Sequence, residues 1–430
     1  MTTQAESAPP GGAPVPYSNR AVLGIVALFP LAFIALALAI DPPRVIFDGL
    51  IAILTSRDTL ITDYIGIGGI GAAFMNAGLL TLLAIGFYIR SGATIGGSSV
   101  ACLFLVLGFA LFGKSLLNVW FVVFGVWLFA RYKGEPFAKH INTAFFGTAL
   151  APIFSEILFS SALPLQVSLP LAACTAVLLG FVLAPAAAHL FHSHMGCTLY
   201  NIGFVAGIIG ALIVALYKSY GFVPDPVFIW STGNNLLLGS ILAGLFAATA
   251  AGALLLDRHA WPKFTGLLRR SGQAPTDFVA LAGIGPTLLN MSLTGAIGTA
   301  YVLAVGADLN GPTIGAILTI VGFSAFGKHP KNIMPVMIGV FIGAMLKDWR
   351  ANDAGAVLAA LFGTTLAPIA GRFGWHWGIA AGFLHSSVAQ SVGQLHGGLV
   401  LYNNGFAAGL VAAILVPVII ALQRGDAEPK

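Results

Sequence analysis

The chain contains two copies of one sequence pattern, and this duplication limits its folds more than any other feature. When the sequence is shifted by 214 residues, segment 62–118 aligns with segment 276–332 without a gap, and 16 of the 57 positions are identical. Two shorter blocks repeat in the same order, residues 146–153 with 362–369 and residues 194–204 with 396–406. The identical positions include Asp, Asn, Lys and His, so shared apolar composition does not explain them. The sequence therefore predicts two structurally equivalent halves.

The composition of these halves is that of a membrane protein. Hydrophobic residues make up 58% of the 430 residues and charged residues only 8%, whereas a soluble domain has about 25% charged residues. These values exclude a soluble enzyme, a nucleic-acid-binding protein and an intrinsically disordered protein. We predict a disordered N-terminal tail, a first membrane repeat, a linker loop, a second membrane repeat and a C-terminal tail, at residues 1–20, 21–219, 220–235, 236–421 and 422–430.

Each copy contains seven apolar stretches, which predict an all-α membrane fold with about 10–14 membrane segments. In the first copy they cover residues 21–40, 64–89, 95–112, 116–130, 142–159, 165–184 and 198–217. In the second copy they cover residues 236–255, 278–304, 311–326, 333–346, 355–370, 375–392 and 399–421. An odd number of stretches per copy predicts that the second copy is inverted in the membrane relative to the first.

The charges of matching loops support this inversion. The loop that precedes the second copy's Thr-Asp pair is crowded with basic residues, Arg258, Lys263, Arg269 and Arg270. The matching loop of the first copy carries two arginines against three aspartates. Basic residues concentrate in cytoplasmic loops, so matching loops of opposite bias indicate repeats of opposite orientation. We therefore expect a multi-pass protein of the bacterial inner membrane with both termini in the cytoplasm.

Several apolar stretches are too short or too interrupted to cross a bilayer as straight helices. Stretches 95–112 and 116–130 are each shorter than the ~20 residues of a transmembrane helix, and Gly113-Lys114 separates them. The Gly-Thr-x-Leu-Ala-Pro blocks interrupt two more stretches in the same way. We therefore predict inverted-topology repeats with discontinuous or re-entrant helices. Such segments at matching positions of two repeats are the best sequence indication of a transport site.

Lys114 and Lys328, at matching positions in these breaks, are the first candidate site residues. An ammonium group in an apolar stretch is costly unless it is paired, reaches the headgroup region or serves a function. The pair fits a binding site for an anionic or strongly dipolar solute, and it fits equally two lysines that reach the membrane surface. Asn118 and Asn332 lie four residues further on, so a continuous helix would place each on the face of its lysine. Their amides would bind a polar solute or another helix.

Two further pairs of matching blocks contribute candidate residues. Thr148 and Thr364 lie in the Gly-Thr-x-Leu-Ala-Pro blocks, where a helix break would free backbone groups and add a hydroxyl. His194 and His396 precede a Tyr-Asn pair, and a neutral imidazole can donate, accept or carry a proton. The asparagines of these pairs complete the candidate set, Asn201 and Asn403. Each pair also has a structural interpretation, as a kink or a buried hydrogen bond.

Carboxylates are rare in the apolar stretches. Asp63 and Asp277 follow Thr at the start of a long stretch, which predicts that they cap helices. Glu156 is the only carboxylate deep inside a stretch, and its counterpart in the second copy is Arg372. This exchange of charge fits an ion pair between the two copies or a proton-coupling site.

The repeated blocks Phe-Gly-Lys, Phe-Gly-Thr-x-Leu-Ala-Pro-Ile and Leu-Tyr-Asn-x-Gly-Phe resemble an uncharacterised bacterial family of duplicated membrane proteins, which carries only a domain-of-unknown-function label. The resemblance covers nearly the whole chain after the tail and implies no substrate. Phe146-Gly147-Thr148 and Leu199-Tyr200-Asn201-x-Gly203-Phe204 are also similar, more loosely, to urea channels. That similarity concerns architecture, and it implies an inverted duplication in which re-entrant helices line a pore.

These features favour a membrane channel or secondary transporter for a small polar or anionic solute, with its site between the two copies near the membrane midplane. The four residues of the two breaks, Lys114, Lys328, Asn118 and Asn332, would form the site, and the Thr and His/Tyr-Asn blocks would lie beside it. The expected partners are the solute and the lipid bilayer, and the sequence leaves a homo-oligomer open. No nucleic acid, metal or cofactor is expected.

Two other classes of protein fit the sequence less well. A membrane subunit of an electron-transfer or biosynthetic complex would bind quinone, flavin or lipid, but the sequence has no histidine pair at haem-ligand spacing and no cysteine cluster. An intramembrane enzyme would need a catalytic motif such as HExxH or GxSxG, and none lies in the apolar stretches. We therefore expect no enzymatic activity.

Overall fold

The computed structural model describes residues 18–160, 163–224 and 226–425, which form an essentially all-α protein. Residues 1–17 and 426–430 of the two predicted tails lie outside the described residues. The first copy forms helices α1 to α9, at Asn19–Ile40, Pro43–Leu54, Tyr64–Ser91, Gly97–Phe109, Trp120–Tyr132, Ile141–Gly147, Ala151–Ser160, Leu165–Leu190 and Asn201–Ser219. The second copy forms helices α10 to α19, at Asn235–Leu256, Ala260–Leu267, Phe278–Ala282, Ile284–Ala304, Gly311–Phe323, Pro330–Leu346, Ala354–Gly363, Ala367–Phe373, Trp375–Val392 and Asn403–Gly425.

Short 3-10 helices and one small sheet connect these helices. The 3-10 helices are Phe137–Lys139, Thr148–Leu150, Phe191–His194, Thr364–Leu366 and Gly393–His396. Strand β1, Ile61–Thr62, follows α2, and strand β2, Phe228–Ile229, lies in the linker between the copies. The strands are parallel, with Ile61 opposite Phe228 and Thr62 opposite Ile229. This pairing attaches the linker to the loop after α2.

The helices follow the predicted repeat element by element. Helices α1 to α9 recur in order as α10 to α19, because the kinked helix α3 corresponds to the separate helices α12 and α13. The kink lies at Gly69 and the separation at Gly283, with φ of +84° and +90°. Among the described residues, nine helical segments are long and apolar enough to cross a membrane, and α6–α7 and α16–α17 each count as one of them. Five lie in the first copy and four in the second, where α18 takes the place that α8 has in the first copy. The resulting five crossings in each copy invert the second copy relative to the first.

Helices α4 and α5 form a re-entrant hairpin and do not cross the membrane separately. Each has 13 residues, which gives a length of about 20 Å, whereas the hydrocarbon core is about 30 Å thick. Helix α6 begins beside the start of α4, because Asn142 Nδ2 donates to Ser98 Oγ at 3.1 Å. Helix α5 therefore returns the chain to the face from which α4 entered. Helices α14 and α15 form the equivalent hairpin, so the predicted re-entrant helices are confirmed.

The two hairpins meet through α4 and α14, which pack against each other in antiparallel orientation. A Cβ atom added to Gly97 would lie 2.1 Å from the carbonyl oxygen of Ala325, and one added to Gly311 would lie 2.4 Å from that of Leu111. A shift of 214 residues converts one of these contacts into the other, so a pseudo-two-fold axis relates them. This axis is the expected symmetry of inverted repeats.

Helices α9 and α19 contact each other on the same axis. Gly203 and Gly405 are equivalent under the 202-residue shift, and a Cβ atom on Gly203 would lie 3.1 Å from the Cα atom of Gly405. Gly207 packs with similar closeness against the ring of Phe406. These contacts place the first turns of α9 and α19, and the tyrosine that precedes each turn, between the two copies.

Candidate functional site

Each re-entrant hairpin is broken at the Phe-Gly-Lys motif. Gly113 has a φ of +84° and Gly327 a φ of +132°, and glycine adopts such angles without steric cost. The backbone N–H of Lys114 then donates to the Phe109 carbonyl at 3.1 Å, which ends α4. Lys328 makes the equivalent bond at the end of α14, at 3.0 Å. Both lysines therefore leave the helix axis at the break.

Buried asparagines of α3 and α13 hold the two breaks in place. Asn76 Nδ2 donates to the carbonyl oxygens of Ala110 at 2.7 Å and Lys114 at 3.0 Å. Asn290 makes the two equivalent bonds at 2.8 and 2.7 Å. Carbonyl groups at a helix C-terminus have no partner within the helix, and these amides supply one. Asn76 and Asn290 therefore stabilise the breaks.

Each lysine side chain reaches a tyrosine of the other copy. Lys114 Nζ donates to Tyr402 Oη at 2.6 Å, and Lys328 Nζ donates to Tyr200 Oη at 2.6 Å. All four side chains are buried. The pseudo-two-fold relation exchanges the two contacts, so each lysine has a partner in the opposite copy.

Aromatic rings also face both ammonium groups. Lys114 Nζ lies 5.3 Å from the ring centre of Phe109 and 4.9 Å from that of Tyr402. Lys328 Nζ lies 5.3 and 4.6 Å from the equivalent rings. It also donates to Thr364 Oγ1 at 2.8 Å. Rings at these distances attract a cation through their quadrupoles, which offsets part of the cost of burying each lysine.

No carboxylate neutralises either lysine within the part of the chain that the structure describes. The ion pairs found there do not include Lys114 or Lys328, and they join Arg57 to Glu156, Lys139 and His140 to Glu135, and Lys263 to Asp257. A buried charge without an opposite charge is unfavourable. An anion in their vicinity would offset the cost of burying the two ammonium groups.

A cavity of about 220 Å³ lies between the two copies, beside the two tyrosines. One water molecule needs only about 10–15 Å³ measured in this way, so the cavity has room for a small organic molecule. Tyr200 and Tyr402 line it, whereas the two lysines lie behind them. Much of the remaining wall consists of aromatic rings in equivalent pairs, Phe109 with Phe323 and Phe146 with Phe362. We call this space the shared cavity.

The shared cavity is not symmetric about the pseudo-two-fold axis. Asn142 and Thr143, at the start of α6, supply polar side chains to its wall. Their counterparts, within α16, are the apolar Leu358 and Ala359, which do not line it. Ala274, in the basic loop before α12, lines the same end. The polar end therefore extends toward the membrane face that carries the basic loop.

Neither of the two lysines that were predicted to form one site lines the shared cavity itself. Lys114 follows the C-terminal end of α4, and Lys328 follows that of α14. Because α4 and α14 are antiparallel and about 20 Å long, the lysines lie at opposite ends of this helix pair. The tyrosines connect both lysines to one cavity, since they precede two helices that meet on the axis.

The expectation that Asn118 and Asn332 share a helical face with the lysines does not hold. It assumed a continuous helix after the lysine, but residues 110–119 are not helical. Asn118 Nδ2 donates to the Gly113 carbonyl at 3.1 Å, and Asn332 Nδ2 donates to the Gly327 carbonyl at 2.9 Å. These asparagines fasten the breaks and do not line the shared cavity.

The structure brings two of the remaining candidates to the site. Thr364 contacts Lys328, and Asn201 lines the shared cavity. Thr148 Oγ1 instead donates to the Phe145 carbonyl at 2.6 Å, within its own helix. Asn403 Nδ2 donates to a carbonyl of α18 at 2.9 Å, which fixes the start of α19.

The matched histidines, His194 and His396, are buried beside the Tyr-Asn pairs but do not line the shared cavity. His194 Nε2 lies 3.0 Å from Asn201 Oδ1, so it orients a residue of the cavity wall. Neither ring nitrogen of His396 has a hydrogen-bond partner among the described residues. The two histidines are therefore equivalent in sequence but not in their contacts.

Asp63 and Asp277 cap helices, as predicted, and each also reaches the other copy. Asp63 accepts from a backbone N–H in the first turn of α3 at 3.0 Å and from Gly311, at the start of α14, at 3.1 Å. Asp277 accepts from a backbone N–H of α12 at 3.0 Å and lies against Gly97, at the start of α4. Burial raises the pKa of Asp63 above its usual value, although its hydrogen bonds oppose the shift.

The predicted ion pair between Glu156 and Arg372 is wrong. Glu156 pairs with Arg57 of its own copy at 2.9 Å. Arg372 Nη1 donates to Gln273 Oε1 at 3.0 Å. The two side chains lie at opposite membrane faces because inversion places the end of α7 and the end of α17 on opposite sides.

Tyr200 and Tyr402 are not among the candidate site residues that the sequence predicts, although they are the link between both lysines and the cavity. The sequence feature that could have identified them is a tyrosine at matching positions of two apolar blocks. Phe109 and Phe323 are also identical in the two copies, but phenylalanine is too frequent in membrane segments to single them out.

Comparison with known proteins identifies a family but no activity. The family model described as "Protein of unknown function (DUF1576)" matches the chain twice, at residues 42–219 and 256–421. The chain belongs to this family, and the double match confirms the duplication and the resemblance to an uncharacterised family. No curated protein and no solved structure matches the chain, so the looser resemblance to urea channels gains no support.

Proposed function

We propose that this polytopic membrane protein binds a small organic anion in the shared cavity and carries it across the membrane without converting it chemically. The observation that carries this proposal is the exchanged pair of contacts, Lys114 with Tyr402 and Lys328 with Tyr200, each at 2.6 Å. We also propose that the protein lies in the bacterial inner membrane with both termini in the cytoplasm, an orientation that its loop charges support.

The tyrosines extend the effect of the lysines into the cavity. Each Oη accepts a hydrogen bond from an ammonium group, so its own proton remains free to donate to a ligand. A hydroxyl that accepts from a cation is polarised and becomes a stronger donor. An anion that accepts from Tyr200 and Tyr402 would therefore offset the charge of both lysines.

The walls of the shared cavity favour an anion with an organic body. Its paired phenylalanine rings, Phe109 with Phe323 and Phe146 with Phe362, offer flat apolar surfaces. Burial of apolar area stabilises a bound molecule by about 25 cal/mol per Å², and a hydrated inorganic ion gains nothing from such walls. A small aromatic or aliphatic anion satisfies both the rings and the hydroxyls.

The inversion of the two copies supports transport of the anion across the membrane, and not only its binding. Inverted repeats around a central site are typical of secondary transporters. The start of α6 contributes to the shared cavity whereas the equivalent residues of α16 do not, so the cavity takes its wall unequally from the two copies. If the copies exchanged these conformations, the cavity would extend toward the opposite face. This exchange would provide alternating access.

A membrane subunit that binds quinone or flavin is the second candidate function. The paired aromatic rings are the observation that favours it, because they would also stack on a planar ring. The absorption spectrum of protein purified in mild detergent distinguishes the two candidates. A flavin or quinone band in stoichiometric amount would favour the subunit over the transporter.

Flux into proteoliposomes tests the proposed transport. The solutes are benzenesulfonate, methanesulfonate, nitrate and urea, because sulfonates remain charged near neutral pH and do not cross lipid as neutral acids. We expect wild-type protein to carry benzenesulfonate fastest, since it fits both the rings and the hydroxyls. Lys114→Met/Lys328→Met should reduce this flux about tenfold or more, because hydrogen bonds to charged groups contribute about 1.5–3 kcal/mol each.

Lys331→Met is the matched control for this experiment. Lys331 lies three residues after Lys328 and is exposed, so its removal should leave benzenesulfonate flux unchanged. Equal flux in wild type and in Lys114→Met/Lys328→Met would overturn the role of the lysines. No flux of any anion in wild type would overturn transport itself.

A further inference from the structure

Asp58 is a buried carboxylate in the loop between α2 and β1. It is only 1% exposed. Its Oδ1 accepts from Tyr64 Oη at 2.7 Å. Its Oδ2 accepts from Ser155 Oγ at 2.6 Å and from Asn118 Nδ2 at 2.8 Å. Asp58 therefore contacts α3, α7 and the break between α4 and α5 at once.

The second copy has no equivalent of this acid. Gly272 takes the position of Asp58, and Gly371 takes that of Ser155. A Cβ atom on Gly272 would lie 2.0 Å from the carbonyl oxygen of Gly327, so the backbone itself occupies this space in the second copy. The second break forms without a carboxylate, and Asp58 is therefore not required to build such a break.

Asp58 is connected to the first lysine through a single side chain. Asn118 donates to Asp58 and also to the carbonyl of Gly113 at 3.1 Å, and Gly113 is the residue before Lys114. A change in the charge of Asp58 would alter how strongly it holds Asn118. The turn that directs Lys114 toward Tyr402 would respond to that change.

We propose that Asp58 is the site at which a proton binds to couple passage of the anion to a pH gradient, an inference that rests on the proposed transport function. The proton comes from water at the membrane face that carries residues 55–60. It forms an O–H bond with a carboxyl oxygen and removes the negative charge. The protonated oxygen becomes a donor, so at least one of the groups that donate to Asp58 must turn away.

The cycle closes when the proton leaves. Movement of the α4–α5 hairpin, loosened from Asp58, would open this region to the shared cavity. The proton then passes to water on the opposite face, and Asp58 becomes a carboxylate again. One proton is taken up and one is released in each cycle, with no other change in bonding at Asp58.

The surroundings of Asp58 allow this protonation near neutral pH. Burial raises the pKa of Asp58 from 3.8 to about 7. The shift is limited by hydrogen bonds from four side chains, Ser155, Tyr64, Asn118 and Ser56. Tyr64, from α3, is the titratable group in contact with Asp58. Arg57 and Glu156 flank this region and pair with each other at 2.9 Å, so their opposite charges offset each other.

Infrared spectroscopy of the purified full-length protein tests the proton site without requiring transport. We expect a protonated-carboxyl band that titrates near pH 7 in wild type and is absent from Asp58→Asn. Glu156→Gln is the matched control, because it removes the neighbouring buried acid and should leave the band in place. The same band in wild type and in Asp58→Asn would overturn the assignment.

Ser155→Ala gives a second test that keeps the carboxyl group, and it decides the matter if Asp58→Asn does not fold. The Ser155 hydroxyl lowers the pKa of Asp58, so its removal should move the titration of the band to higher pH. A hydrogen bond of this kind corresponds to about one pH unit. An unshifted band would mean that another group titrates.

Coupling is tested with benzenesulfonate in proteoliposomes, with and without a pH gradient. In wild type, an inward proton gradient should drive accumulation of benzenesulfonate. Asp58→Asn should lose this accumulation about tenfold or more while it still exchanges internal for external benzenesulfonate. Equal accumulation in both proteins, or a wild-type flux indifferent to the gradient, would overturn the coupling. No movement in wild type would overturn the proposed function, and the infrared band would still decide whether Asp58 binds a proton.

Discussion

The two re-entrant breaks share one framework but differ in what surrounds it. In both copies a glycine with positive φ precedes the lysine, and a tyrosine of the other copy accepts from the lysine. Lys328 has a second acceptor in Thr364 Oγ1, whereas Tyr402 Oη is the only hydrogen-bond acceptor of Lys114 Nζ among the described residues. The break with the weaker hold on its lysine is the one beside Asp58.

This difference suggests a division of roles between the copies. The shared framework supplies two equivalent donors to one cavity, which a binding site for an anion needs. The differences should make the break of the first copy respond more strongly to a change in the charge of Asp58. Lys114 depends on fewer contacts than Lys328, and its turn is connected to Asp58 through Asn118. Under the proposed function, duplication would provide the two equivalent lysine–tyrosine pairs, and divergence of one copy would provide control over them.

The largest expected effect is a loss of stability on replacing either of the two asparagines that hold the breaks, and this loss should differ between them. Asn76 also accepts from the Leu116 N–H at 3.1 Å, whereas Asn290 Oδ1 has no partner among the described residues. Asn76→Ala should lower the free energy of unfolding by about 3 kcal/mol and Asn290→Ala by about 2 kcal/mol, since buried carbonyls lose their donors. Thermal unfolding in detergent measures both. Equal losses would mean that the two breaks are held equally.

A smaller effect is expected on flux when either tyrosine is replaced, and it should differ between the two tyrosines. Tyr402→Phe removes the only hydrogen-bond acceptor of Lys114 found in the described part of the chain, whereas Tyr200→Phe leaves Lys328 with Thr364. Benzenesulfonate flux should fall about tenfold in Tyr402→Phe and about threefold in Tyr200→Phe, because a lost hydrogen bond changes free energy by about 0.5–1.5 kcal/mol. The reverse order would contradict the unequal roles of the copies. Thr364→Ala combined with Tyr200→Phe should abolish the difference.

The smallest expected effect is the dependence of stability on pH. The pKa of Asp58 is raised to about 7 in the folded protein, so the folded state binds this proton more tightly than the unfolded state. Its contribution to stability is complete below the unfolded pKa and is lost as pH rises to about 7. Between pH 6 and 8, wild type should lose about 1 kcal/mol of unfolding free energy relative to Asp58→Asn. Parallel pH profiles of the two proteins would contradict this assignment.

The overall fold follows from the sequence because the duplication and the apolar stretches are local patterns. The odd number of stretches gives the inversion, and Gly113-Lys114 with its counterpart marks the re-entrant breaks. The caps at Asp63 and Asp277 follow from the same local chemistry. The kinks at Gly69 and Gly283 were visible only as a repeated Gly-Ile-Gly motif, which does not specify a φ angle.

The site follows from the sequence only in part, because its decisive contacts join distant residues. Lys114 and Tyr402 are 288 positions apart, and no spacing or period reports such a contact. The antiparallel packing of α4 and α14, which separates the two lysines, likewise depends on how closely glycines allow the copies to approach. Asp58 is not predicted from the sequence for a different reason, because it lies outside the blocks that the two copies share.

The most direct test of the central claim is to locate a bound anion. Crystals of the full-length protein grown with 4-bromobenzenesulfonate would show the bromine by anomalous scattering. The account predicts one strong peak in the shared cavity, with the sulfonate within hydrogen-bond distance of Tyr200 Oη or Tyr402 Oη, and loss of that peak in Lys114→Met/Lys328→Met. Peaks confined to the protein surface, or a cavity peak that persists in the double variant, would contradict it.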